Sequence, residues 1–150
     1  MKKIFLFLIL TLFVSQCGYE KVYSSKNLNF SIKNIKKENN TINNELSSAL
    51  LGLVSKRKSD NALDLEIQTI RSTEIKSKDS KGDPSVYVLK LETKIIVKNM
   101  ANEKYTNVFY EEMNYNNNDD KFKLSQYTNE IEKILIKETV KKIIGYLTNI

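Results

Sequence analysis

Residues 86–115 read VYVLKLETKIIVKNMANEKYTNVFYEEMNY, and their alternation decides the fold. Between Val86 and Lys98, the side chains of Tyr87, Leu89, Leu91, Thr93, Ile95 and Val97 fall on one face. Lys90, Glu92, Lys94 and Lys98 dominate the other, with Val86, Val88 and Ile96 among them. Successive residues of a strand point to opposite sides, so this run is a strand with one buried face. Asn99–Asn102 is a short polar turn. From Glu103 to Tyr115 the alternation returns, with Tyr105, Phe109, Met113 and Tyr115 set against Thr106, Val108, Tyr110 and Glu112. Two such runs around a short loop predict a hairpin.

Working outward, Glu74–Ser85 (EIKSKDSKGDPS) is polar and contains Gly82-Asp83-Pro84, which predicts a long mobile connection. Before it, Leu63, Leu65 and Ile67 alternate with Asp64, Glu66 and Gln68, a third strand. Ile70 breaks that phase, which predicts a bulge near Thr69. Thr41–Ser55 repeats apolar residues at helical spacing (Ile42, Leu46, Ala49, Leu50, Leu53, Val54), with Asn40 or Thr41 as its cap. Gly52 inside this helix gives room for close packing on a sheet, and Lys56-Arg57-Lys58 complement the dipole at its end. Phe30–Ile35 alternates as a first strand. After the hairpin, Asn116–Asp120 (NNNDD) is a polar connection, and a last helix runs from about Ser125 to Leu147. Its apolar stripe drifts from Tyr127, Ile131, Ile134 and Leu135 to Ile136, Val140, Ile143, Ile144 and Leu147, offering a broad surface to the sheet and to a partner. The predicted order is β-α-β-β-β-α. Neither an amphipathic helix nor a half-apolar sheet can bury itself alone. The economical architecture is α+β, two helices packed on one face of a four-stranded, mostly antiparallel sheet.

The chain begins Met1-Lys2-Lys3, followed by the apolar run Ile4–Val14 (IFLFLILTLFV) and then Ser15-Gln16-Cys17. A positive start, an apolar run of about ten residues and a processing site form a secretory signal. The run is too short to span a bilayer comfortably. Val14-Ser15-Gln16-Cys17 resembles the lipobox of bacterial lipoproteins, with Gln16 departing from the small residue usual before the cysteine. That resemblance implies cleavage before Cys17 and acylation of its thiol and its new amine. It divides the chain into a signal peptide at 1–16, a lipidated tether at 17–29 and an α+β domain at 30–150. No Asp follows Cys17, and by the same resemblance the lipoprotein is sorted to the outer membrane.

Composition narrows the chemistry. Of 150 residues, 28% are charged and none is histidine, which removes the commonest general base and the commonest metal ligand. With one cysteine there is no intrachain disulfide, no zinc cluster and no Cys–His nucleophile. No cofactor, metal or catalytic residue is expected. The adjacent carboxylates Glu111-Glu112 point to opposite strand faces, and Asp119-Asp120 lie in an Asn-rich loop, so neither pair forms an acid–base site. The net charge is +6, of which Lys2 and Lys3 supply two in the leader. The remaining excess suits phosphates or anionic headgroups. Export, and the lack of a basic cluster interleaved with aromatics, argue against nucleic acid.

Cys17-Gly18-Tyr19 followed by Val22-Tyr23-Ser24, the strand pair Tyr87–Tyr115, and Phe122-Lys123-Leu124 leading into a long helix together resemble the LptE family of lipopolysaccharide-assembly lipoproteins. The likeness extends over the whole chain and rests on ordering, since the family has no catalytic signature. It implies an LptE-like domain held on the periplasmic side of the outer membrane. There it would sit inside an LptD-like β-barrel, assist its assembly, plug it, and meet lipopolysaccharide during insertion. The alternative is an accessory lipoprotein of another envelope lipid-transport or assembly system. Lysine or arginine pairs with lipopolysaccharide phosphates. The candidates are Lys90, Lys94 and Lys98 along one strand face, and Arg71, which with Lys76 and Lys78 flanks the polar connection. No motif carries a family binding residue onto them, and a solvated strand face is the other account.

Overall fold

The structure is a computed structural model and describes residues 28–54, 59 and 61–150. Cys17, the leader, most of the tether and Lys56–Lys58 lie outside the described residues. Strand β1 (Ser31–Lys37) leads to helix α1 (Thr41–Val54). Three strands follow, β2 (Ala62–Lys78), β3 (Pro84–Lys98) and β4 (Lys104–Asn116), and then helix α2 (Lys121–Leu147). The sheet order is β1-β2-β3-β4. β1 is parallel to β2, and the other two pairings are antiparallel. The architecture is therefore the predicted α+β arrangement.

One face of the sheet carries the core. Leu63, Leu65 and Ile67 of β2, Leu89, Leu91, Ile95 and Val97 of β3, and Phe109 and Tyr115 of β4 are buried there. Leu46 and Leu50 of α1 meet them, as do Ile131, Leu135, Ile143, Ile144 and Leu147 of α2. The α2 stripe drifts as its sequence implies, but Tyr127 and Ile134 stay about half exposed. Within α1, Asn43 and Ser47 are buried while Leu53 is exposed. Thr69 and Thr93, direct cross-strand partners, are buried in the same face, and their hydroxyls share a 3.1 Å hydrogen bond.

The helix starts are fixed by side chains that satisfy free amides. Asn40 Oδ1 accepts from the Asn43 N–H at 2.8 Å. Asp120 Oδ1 accepts from the Phe122 and Lys123 amides at 3.1 and 3.2 Å. That cap starts α2 at Lys121, about a turn before the predicted Ser125, because Lys121-Phe122-Lys123-Leu124 alternates with the period of a strand and shows no helical apolar spacing.

Three expectations are corrected. Glu74–Lys78 is not a mobile connection but the last part of β2, paired with β3 out to Lys78 opposite Pro84. Only Asp79–Asp83 forms the turn, with Asp79 Oδ1 accepting from the Lys81 and Asp83 amides and Gly82 at φ 90°. Backbone pairing continues there although neither face is buried, so no apolar alternation marks it. There is no bulge at Thr69. The register runs straight through it, and Ile70, 60% exposed, simply faces outward. The irregularities fall in two other places: the end of β2, at Lys76 and again between Ser77 and Lys78, and Lys33 in β1. The second allows Ile32 and Ile35, three residues apart, to point into the core together. Finally, a Cβ on Gly52 would meet nothing within 4 Å, so this glycine serves no close approach.

Candidate functional surface

The helices cover one side of the sheet, and among the described residues no element covers the other, the bare face. Lys90, Lys94 and Lys98 line it along β3, since every inward neighbour of theirs is in the core. The register names their surroundings. Lys90 stands between Ser72 of β2 and Glu112 of β4. It is ion-paired with the diagonal neighbour Glu74. The hydrogen bond that the Lys90 ammonium donates to Glu74, opposed by burial and assisted by the charges of Glu74 and Glu112, raises the Lys90 pKa above the ordinary lysine value. An anion reaching Lys90 therefore competes with two carboxylates already in place.

Lys94 lies between Gln68 and Val108, and Lys98 between Asp64 and Lys104. Asp64 is itself engaged by Asn34, whose amide donates to Asp64 Oδ1 at 2.8 Å. Among the described residues neither Lys94 nor Lys98 forms an ion pair. Lys98 and Lys104 sit directly opposite each other, an arrangement that costs stability unless an anion relieves it. The cationic part of the face is thus Lys94, Lys98 and Lys104, with Ile96 and Val108 between them. Lys104 escaped the sequence reading, although folding the hairpin about residues 99–102 places it beside Lys98.

Arg71 does not join this group. It lies on the helix-bearing face, where its guanidinium pairs with Glu132 of α2 at 2.7 Å. It acts as a clamp between β2 and the long helix. The carboxylates considered as acid–base pairs separate. Glu111 points toward α2 and is ion-paired with Lys142, while Glu112 is on the bare face. Asp120 is spent on the α2 cap. Among the described residues no three of His, Cys, Asp and Glu cluster as metal ligands. No helix among them is long and apolar enough to cross a membrane.

Among the described residues the sheet also leaves main chain without a strand partner. β1 stops with Lys37 beside Ile67, so β2 from Gln68 to Lys78 has a strand on one side only. β4 is the other edge of the sheet. There, Asn107 Oδ1 accepts from the Val108 N–H at 2.9 Å and the Lys142 ammonium reaches the Tyr110 carbonyl at 3.5 Å.

No protein-family model matches this sequence, and no curated protein is detectably similar to it. Solved structures do share the fold. Rare lipoprotein B from Shewanella oneidensis superposes with a TM-score of 0.59 at 14% identity, over 80% of this chain and 93% of that one. A minor lipoprotein from Acinetobacter baumannii gives 0.61 at 12% identity, over 85% and 92%. Lipoprotein B from Nitrosomonas europaea gives 0.60 at 14%, over 86% and 88%. The chain therefore has the fold of these bacterial lipoproteins across nearly the whole length of each.

Proposed function

We infer that this chain is an outer-membrane lipoprotein of the LptE kind, anchored through Cys17 on the periplasmic side. In this reading it is not an enzyme. It assists assembly of an LptD-like β-barrel, plugs it, and meets lipopolysaccharide during insertion. One observation carries the reading. A domain with the fold of solved bacterial lipoproteins follows directly on a leader that ends in a lipobox-like cysteine. The bare face of the sheet supports the lipopolysaccharide part. Lys94, Lys98 and Lys104 offer charge to phosphates, and Ile96, Val108 and the exposed Ile70 offer apolar area beside them. Lys90 contributes less, being held by Glu74, and Arg71 is withdrawn from the list of contacts by its ion pair with Glu132.

Two measurements test this. Native protein extracted in mild detergent should co-purify with a large outer-membrane β-barrel protein. Recovery alone, or with an inner-membrane transporter, would favour an accessory lipoprotein of another envelope system. Cys17→Ala should leave the domain folded and move it out of the membrane fraction of cells lacking the barrel. Full retention there would refute the anchor.

A further inference from the structure

The strand register fixes which parts of the domain lie at the end where the anchor segment arrives. The Ser31 N–H donates to the Asn61 carbonyl at 2.8 Å, and the Ser59 hydroxyl donates to the Asn29 carbonyl at 2.8 Å. Ser31 pairs with Ala62, at the start of β2. Two residues further, Asp64 is opposite Lys98, the end of β3, and Lys98 is opposite Lys104, the start of β4. The β3–β4 turn is therefore on the same end of the sheet as Leu28, two to three strand spacings away, about 10–15 Å. Cys17 is eleven residues before Leu28. Even fully extended, that stretch reaches no more than about 40 Å.

The turn at this end is built to hold a shape. The Asn102 N–H donates to the Asn99 carbonyl at 2.9 Å, and the Glu103 N–H donates to Asn99 Oδ1 at 3.0 Å. Asn99 Nδ2 and the Tyr105 hydroxyl both donate to Glu103 Oε2, at 2.7 and 3.0 Å. Asn102 takes the left-handed conformation, φ 64°, which closes the loop. What this scaffold presents is Met100, 72% exposed, the most exposed large apolar side chain among the described residues, with Ala101 beside it. Lys98 and Lys104 flank it. The acid in the turn, Glu103, is already engaged by Asn99 and Tyr105. At the opposite end of the sheet the turn is Asp79-Ser80-Lys81-Gly82-Asp83, with no large apolar residue. The two ends lie about 45–50 Å apart, judged from the length of β3.

We propose that the β3–β4 turn is a second membrane contact, with Met100 and Ala101 entering the headgroup layer and Lys98 and Lys104 meeting anionic headgroups. This orientation rests on the lipid anchor at Cys17. The occupant is a bilayer because the attachment point of the anchor segment and the most exposed large apolar side chain among the described residues share one end of the domain. A bilayer held by acyl chains is then within reach of that tip, and cations beside an apolar wedge are what an anionic interface takes up.

The test uses the full-length lipidated protein in vesicles of phosphatidylethanolamine with phosphatidylglycerol. The Cys17 sulfur is consumed by its lipid, so a cysteine introduced by Ala101→Cys can be labelled alone with a polarity-sensitive fluorophore, with Ser80→Cys as the reference. Flotation of the vesicles reports anchoring separately. The expected result is quenching by aqueous iodide several-fold weaker at 101 than at 80, reverting toward the reference value when Met100→Asp or Lys98→Glu with Lys104→Glu is added, flotation unchanged. Equal quenching at the two positions in floated vesicles would overturn the second contact and leave the anchor standing. Failure to float would overturn the anchor, and the orientation with it. Protection at 101 in native envelopes but not in protein-free vesicles would mean that a protein covers the turn, and would also overturn the proposal.

Discussion

Leu50 gives the most direct measure of whether α1 holds to the sheet. Its side chain is fully buried in the shared core, while Leu53, one turn on and round the helix, is 37% exposed. Truncating a buried leucine removes its transfer free energy and leaves a cavity, which together cost about 2.7–5 kcal/mol. For Leu53→Ala, much of the side chain is already in water, and a cost under about 1 kcal/mol follows from proportionate area. The whole domain is expected to have a stability of about 5–15 kcal/mol. Leu50→Ala should therefore stay folded in buffer yet lose a large fraction of its margin. In urea, with a slope of about 1–3 kcal/mol/M, its midpoint should fall by at least about 1 M, with the slope unchanged. The assay is urea unfolding of the chain beginning at residue 17 with Cys17→Ser, followed by far-ultraviolet circular dichroism. Equal costs for Leu50→Ala and Leu53→Ala, or a cost below 1 kcal/mol for Leu50→Ala, would refute the packing of α1 as described.

Three further outcomes are expected. Gly52→Ala should raise stability by roughly 0.5 kcal/mol, because a methyl there meets open space and alanine favours the helix; calorimetry would register the rise in Tm. Thr93→Val should cost about 1–3 kcal/mol by stranding the Thr69 hydroxyl, while the double change Thr69→Val with Thr93→Val should recover most of it; equal losses would show that the hydroxyl pair is not the cause. Hydrogen bonds from Asn99 and Tyr105 hold the Glu103 carboxyl below the usual carboxylate value, so its contribution is complete above that value and is lost as pH falls through the lowered folded one. Amide exchange at Asn102, corrected for its intrinsic pH dependence, should therefore accelerate below about pH 4, and Glu103→Ala should abolish that acid-side acceleration.

What could be read from the residues followed burial. β3 showed itself because Leu89, Leu91, Ile95 and Val97 face the core while Lys90, Lys94 and Lys98 do not. The far half of β2 did not, because from Ile70 to Lys78 both of its faces are exposed and only the backbone ladder to β3 identifies it as a strand. Ile70 implies a bulge near Thr69 only if it belongs to the core, and it is 60% exposed. With the straight register Ile70 turns outward and Arg71 inward, which is why Arg71 leaves the lysine row for Glu132. The row itself was visible in sequence as a face. Its internal difference was not, because the pairing of Lys90 with Glu74 and the facing of Lys98 by Lys104 depend on register, a property of two strands at once.

The parallel pairing of β1 with β2 carries a consequence for how the chain comes together. β2, β3 and β4 meet through adjacent turns and can zip from their loops, whereas Ser31 must wait for Ala62, and its return path passes through all of α1. Closing that longer circuit is entropically slower than forming either hairpin. Of the four strands, β1 is the first to be synthesised and among the last with a place to go. In a chain secured at its amino end, the segment nearest the attachment would stay open until the meander behind it had formed.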